Sequence, residues 1–199
     1  MKLICTECFN NMMTPVVVGD NALLRNNKDF YYPHFTNQLS CVPQLVLRIS
    51  KLGKSIAPHF AHRYYDAVAL GIRFYADPLL PNLASSFDES AAVSGWHLLF
   101  PKNHNSSENI NNRISEDEDE GNSGYTFAVN HKPVFSGSLA DLPLNIHQFI
   151  AETSSFFTLK VGDLFFCGSP FRYQGLKIGD RLEVWLEEQP AGGLDFWIR

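Results

Sequence analysis

Cysteine, histidine and carboxylate side chains are the groups best able to do chemistry, and here they are thinly spread. Cys5 and Cys8 form a Cys-x-x-Cys pair, Cys5-Thr6-Glu7-Cys8. That spacing suits a redox dithiol or half of a zinc site. A closed zinc site needs four ligands, and neither a second such pair nor a His-x-x-x-His follows. A redox dithiol wants a helix after its second thiol, and Asn10, Asn11, Thr14 and Pro15 are poor helix formers. The simpler reading is four free thiols, Cys5, Cys8, Cys41 and Cys167, in a reducing cytoplasm. His59 and His62 could share a metal with a third ligand, but a polar face running into Arg63 is the simpler account. His97, His104, His131 and His147 have no carboxylate at a telling spacing. The acidic run Glu116-Asp117-Glu118-Asp119-Glu120 lacks the glycine turn and alternating ligands of a calcium loop, so it reads as solvated. No Gly-x-Ser-x-Gly, His-Glu-x-x-His, Walker loop or Gly-x-Gly-x-x-Gly occurs.

The charge balance narrows the partners. The 199 residues carry 16 Lys plus Arg against 21 Asp plus Glu, a net charge of −5. The acidic run supplies all of that excess. A nucleic-acid binder needs a cationic surplus to displace counterions, and an anionic membrane surface needs one too. Neither partner is expected. No apolar stretch approaches the roughly 20 residues of a membrane span, and the first residues lack a secretion signal's long apolar region. A hydrophobic fraction of 45% and a charged fraction of 19% are ordinary for a globular chain. Sixteen Phe predict an aromatic-rich core.

The elements that must position any site follow from periodicity. Residues 1–12 begin with a short apolar strand, and Val16 to Val18 read as another. Residues 22–35 suit a strand and turn, with Asn26-Asn27-Lys28-Asp29 turning. Residues 44–50 read as a buried strand between Pro43 and Gly53. Residues 56–70 read as a helix capped by Ser55, with Pro58 in its first turn and Phe60, Tyr64, Ala67, Val68 and Gly71 on one face. A strand is expected at 72–76 and a second helix at 144–156, where Ile146, Phe149, Ile150 and Thr153 share a face. Strands follow at 164–167, 182–187 and 194–198. Residues 102–124 lack apolar periodicity and read as a mobile polar loop. Many strands with two helices indicate a β-rich α+β fold.

Three longer segments say more. The first is Ser40–Ile49, then Gly53-Lys54-Ser55-Ile56-Ala57 and AHRYYDAVALGI at 61–72. The second is Ser86-Phe87-Asp88-Glu89-Ser90-Ala91-Ala92. The third is FFTLKVGDLFFCGSP at 156–170, with Leu176-Lys177-Ile178-Gly179-Asp180 and a terminal LDFWIR. In order and spacing, over residues 15–199 apart from the polar loop, they resemble the fumarylacetoacetate hydrolase family. They are similar in particular to its small bacterial hydrolases, isomerases and decarboxylases of 2-oxo acids. The resemblance implies one domain over 1–199, a mixed β roll or sandwich with a few short helices, and a homodimer. It also implies magnesium or manganese on a Glu-x-Glu pair and a later Asp, a substrate-binding Lys, and an N-terminal lid with a His and a Glu. Hard carboxylate oxygens suit such an ion, whose charge stabilises a developing enolate.

Carried over residue by residue, the resemblance puts Val42 and Gln44 at the Glu-x-Glu pair. The Asp falls on Arg73 in Gly71-Ile72-Arg73-Phe74-Tyr75-Ala76-Asp77-Pro78. A shifted register would recruit Asp77 instead, at the expense of AHRYYDAV. The Lys falls on Ser85, while Phe87 and Asp88 persist. The Thr-Gly-Thr-Pro loop becomes Cys167-Gly168-Ser169-Pro170, and two small positions beyond it become Arg172 and Gln174. Residues 1–15, a shortened N-terminal segment, hold no counterpart of the lid. The expectation is a catalytically inactive member with no cofactor and a vestigial pocket of Val42, Gln44, Arg73, Ser85, Asp88 and Ser169. It would serve in binding or assembly, or persist as a relic paralogue. The alternative is a 2-oxo acid hydrolase, isomerase or decarboxylase with a rearranged, metal-free site. There Arg73 and Ser169 would hold a small carboxylate, Gln44 or Asp88 would orient it, and His59 or Asp77 would act as base.

Overall fold

Two long runs, Gln38–Ile49 and Tyr65–Asp77, are buried along nearly their whole length, as only central strands covered on both faces can be. They pair antiparallel and form the spine of the fold. The computed structural model describes residues 1–9, 12–25, 27–77, 83–98, 124–137, 145–186 and 193–199. Among these the strands are β1 (Lys2–Phe9), β2 (Met12–Gly19), β3 (Leu23–Leu24), β4 (Gln38–Ile49), β5 (Tyr65–Asp77), β6 (Ala91–Val93), β7 (His97–Leu98), β8 (Tyr125–Val129), β9 (Lys132–Gly137), β10 (Leu164–Phe166), β11 (Tyr173–Leu176), β12 (Arg181–Leu186) and β13 (Leu194–Trp197). One sheet runs β2-β1-β10-β4-β5-β6-β3, with β11 also on β4 and β7 on β5. The second runs β13-β12-β8-β9. Helix α1 covers Ile146–Phe156, and two short 3-10 helices cover Asp20–Ala22 and Pro58–Arg63.

The period-two alternation of β4 and β5 gives their two faces different work. Leu39, Cys41 and Leu45 of β4, with Ile72 and Phe74 of β5, join Phe127, Leu182, Val184 and Phe196 of the second sheet in the main core. The expected aromatic core is present: Phe30 stacks on Phe74 with centroids 4.0 Å apart, and Phe196 meets Phe74 edge-on. The opposite face carries Gln38, Ser40, Val42 and Gln44 of β4 against Asp77, Tyr75, Arg73 and Gly71 of β5, pair by pair. This is the polar face on which a site can form.

Several expected elements are in place. Helix α1 starts where Asn145 accepts a hydrogen bond from the Gln148 amide at 3.1 Å, and it buries Phe149, Ile150 and Thr153. The strand expectations at 164–167, 182–187 and 194–198 fall on β10, β12 and β13. The helix expected over 56–70 is not there. A 3-10 helix ends at Arg63, and Tyr65 onward is β5. Ser55 is not its cap but sits at φ 51°, with its amide donating to the Ser154 carbonyl. Ala67, Val68 and Gly71 fit a helical stripe, yet β4 offers a full-length pairing partner, and tertiary pairing overrides the weak helical preference. Among the described residues of 22–35 a two-residue strand, β3, and a single bridge at Phe30 form, and Asn27 does turn, at φ 52°. The polar stretch 102–124 lies outside the described residues, apart from Gly124, and so does the acidic run.

Candidate functional site

The polar face of β4 and β5 is built from cross-strand pairs. Val42 lies opposite Arg73, Ser40 opposite Tyr75, and Gln38 opposite Asp77. Strand β11 extends the same rows, because Gln174 pairs with Ser40 on the other side of β4.

Arg73 is the most unusual group here. Its side chain is 1% exposed, and Nη2 donates to the Ser85 carbonyl at 2.9 Å. Its guanidinium carbon also lies 5.3 Å from the Tyr75 ring centroid, within cation–π range. A buried charge persists only where such partners replace water. Gln44 is equally buried, and its Oε1 accepts the Gly168 amide at 2.6 Å. Gly168 turns the chain at φ 78°, a conformation glycine adopts without a side-chain penalty, and this aims its N–H at Gln44. Val42 and Ser85 are buried beside Arg73 in register and contact. Ser169 follows Gly168, is half-buried, and accepts the Phe171 amide at 3.2 Å.

Thus Val42, Gln44, Arg73 and Ser85 come together, with Ser169 next to the Gly168 that binds Gln44. Asp88 does not join them. It is exposed, and its carboxylate accepts from the Asn21 amide. Ser90 instead reaches the Ser85 carbonyl at 3.1 Å.

Sequence reasoning missed the next step along the same rows. Arg172 donates to Ser40 Oγ from Nε at 2.9 Å and from Nη2 at 2.7 Å, and Nη2 also reaches Asp77 at 2.6 Å. Its guanidinium lies 4.5 Å from the Tyr75 centroid. A cleft of about 670 Å³ opens beside this group. The alternation of Gln38, Ser40, Val42 and Gln44 against Arg73, Tyr75 and Asp77 was the available signal. It was hidden because the strand expected there began only at residue 44, which left out Gln38, Ser40 and Val42 of β4. At the far end of β4 a second cavity of about 640 Å³ lies beside Arg48, whose guanidinium Asp66 holds at 2.9 Å.

The positions that the resemblance assigns to a divalent metal do not suit one. Val42 has no donor atom, Gln44 commits its carbonyl oxygen to Gly168, and Arg73 brings a positive charge where a cation would sit. Among the described residues no three His, Cys, Asp or Glu converge on a point.

The thiols and histidines lie elsewhere. Cys5, Cys41 and Cys167 are buried. Burial pushes Cys167 up to about 12 and raises Cys41 further, so neither supplies a ready thiolate. His62 and His147 are brought together from distant segments, with ring centroids 6.2 Å apart, and His147 Nε2 contacts Tyr65 Oη at 3.0 Å. Burial, then the charge of His62, holds His147 below its ordinary value.

The family model described as "Fumarylacetoacetate (FAA) hydrolase C-terminal" matches residues 9–192. The chain belongs to the fumarylacetoacetate hydrolase family. Its fold is the β-rich one of that family's C-terminal domain, with a curled half-barrel sheet. Solved structures agree with this. A fumarylpyruvate hydrolase from Pseudomonas aeruginosa, in complex with Mn2+ and pyruvate, superposes with a TM-score of 0.79 at 15% identity, over 100% of this chain and 89% of that one. A 5-carboxymethyl-2-hydroxymuconate delta-isomerase from Mycobacterium smegmatis gives 0.75 at 16% identity, over 99% and 78%. A maleylpyruvate hydrolase from Sphingobium sp. SYK-6 gives 0.74 at 17%, over 99% and 69%. No curated protein matches the chain. Identities this low establish the shared fold alone. Among the described residues no helix is long and apolar enough to cross a membrane.

Proposed function

We propose that this member of the fumarylacetoacetate hydrolase family has given up metal-dependent catalysis and keeps the polar face of β4 and β5 for binding. The observation that carries this reading is Arg73. A guanidinium, fixed by the Ser85 carbonyl and the Tyr75 ring, occupies the position the resemblance gives to a metal-binding carboxylate. Its charge opposes a divalent cation and favours an anion. A small carboxylate is the natural ligand class, since the family's hydrolases and isomerases act on 2-oxo acids. The protein would work as a cytoplasmic homodimer in binding or assembly, or persist as a relic paralogue. The buried thiols of Cys41 and Cys167 support a reducing compartment.

The test is manganese titration by electron paramagnetic resonance, alongside turnover of acylpyruvates and oxaloacetate. Expected is no stoichiometric Mn2+ binding and no turnover. Manganese coordinated at residues 42, 44 and 73, together with turnover, would overturn the reading. Sedimentation velocity checks the dimer. The pairing of two guanidinium groups around Tyr75 favours one second reading, a metal-free 2-oxo acid enzyme. It predicts turnover that resists chelators and disappears in Arg73→Ala.

A further inference from the structure

Arg172 and Gln174 stand where the family resemblance has small residues, so the chemistry around them is this chain's own. The geometry points to the cleft beside Arg172 as the binding site for a small carboxylate that also carries hydroxyl groups. This rests on the reading of a metal-free binding protein and names its ligand class.

Two features of the cleft define the ligand. The first is a fixed cation. Ser40 and Asp77 hold the Nε and Nη2 edge of Arg172, and the Tyr75 ring lies within cation–π range. Among the described residues Nη1 has no hydrogen-bond partner, and Arg172 lines the cleft. Arg73 sets a second guanidinium within range of the same ring. A guanidinium already held in place loses little freedom when it takes a carboxylate.

The second feature is a ring of amides. Asn37, Gln38 and Gln174 line the same cleft, and their side-chain amides have no hydrogen-bond partner among the described residues. Asp77 Oδ1 is likewise unused. Each amide offers one acceptor oxygen and two donors, the complement of a hydroxyl group, which both gives and takes. A simple anion would leave the amides unanswered, and a neutral polyol would leave Arg172 unanswered. The volume, about 670 Å³, accommodates a molecule of several carbons.

The probe is D-gluconate, measured by isothermal titration calorimetry on the full chain at low ionic strength. Acetate (carboxylate alone) and sorbitol (hydroxyls alone) are the comparisons. Gluconate is expected to bind at least tenfold more tightly than either. Arg172→Gln should weaken gluconate by about tenfold or more, the range for a charge-assisted hydrogen bond. Gln174→Ala should weaken gluconate severalfold and leave acetate unchanged. Thermal unfolding checks that each variant is folded, and Arg172→Lys, which keeps charge but not the fork, should recover only part of the affinity. Gluconate binding no tighter than acetate, or unaffected by Arg172→Gln, would overturn the assignment while leaving an absence of 2-oxo acid turnover intact. Manganese-dependent turnover would remove the proposed function without altering the gluconate measurement.

Discussion

Gln44 holds the interior of the site together. Its Oε1 is the acceptor for the buried Gly168 amide. Gln44→Ala therefore strands a donor out of reach of water, at a cost of about 1–3 kcal/mol. Urea unfolding should show a lower midpoint with an unchanged slope. The reverse experiment tests what these positions have lost. Val42→Glu, Gln44→Glu and Arg73→Asp together place three carboxylates at the positions the resemblance assigns to the metal. The triple variant is expected to be less stable than wild type without metal and to gain melting temperature with Mn2+, because only its folded form gathers the ligands. Wild type should show no such gain. The pocket residues on β4 and β5 were legible through the family resemblance, because its segments run without a gap along both strands. Asp88 was not. It lies in a turn where Glu89 adopts φ 60°, and nearness in sequence to Ser85 does not fix where a turn residue points.

At the scale of elements, the error over residues 56–70 has a physical origin. A continuous apolar run buried on both sides has no period of its own, so Ala67 to Gly71 satisfied a helical stripe as well as a strand. What decided it was the register with β4, a contact about twenty residues away in sequence and invisible locally. Correcting it also relocates the histidines. His62 lies in the last turn of the 3-10 helix and His147 in the first turn of α1, so the pair sits where these two elements pack. His62 Nδ1 is buried and makes no hydrogen bond among the described residues. His147, pushed down by burial and by His62, binds fewer protons folded than unfolded between its lowered value and the ordinary 6.5. Stability is therefore full above about pH 6.5 and falls as pH drops through that window. Urea midpoints measured from pH 8 to 5 should decline, and His147→Gln should flatten the decline. The same variant leaves the Arg172 cleft untouched, which separates loosening of α1 from loss of binding.

Across the whole molecule, the described ends of the chain are tied into the sheets by buried or paired polar groups. Among the described residues β1, with β2 at the sheet edge, joins the rest of the large sheet through parallel pairing with β10, from Leu3 opposite Leu164 to Cys5 opposite Phe166. Parallel neighbours cannot be joined by a tight turn, and here more than 150 residues separate them, so closing this contact is entropically costly. Asp163 offsets that cost. It is completely buried and accepts from the Lys2 amide at 2.8 Å, the Lys2 ammonium at 2.5 Å and the Lys160 amide at 2.8 Å. Removing one partner of such a group leaves the others desolvated. Asp163→Ala should therefore cost about 1–3 kcal/mol, the range for donors left unsatisfied. The pair between Arg181 and Asp195 is the contrast, since half of the Asp195 side chain is exposed and solvent screens it. Asp195→Asn should leave the unfolding midpoint nearly unchanged. Hydrogen exchange places the larger loss: in Asp163→Ala the β1 and β10 amides should exchange faster, while those of β8 and β12, in the other sheet, change least. Equal acceleration in both sheets would mean that Asp163 supports the fold as a whole and does not specifically dock β1.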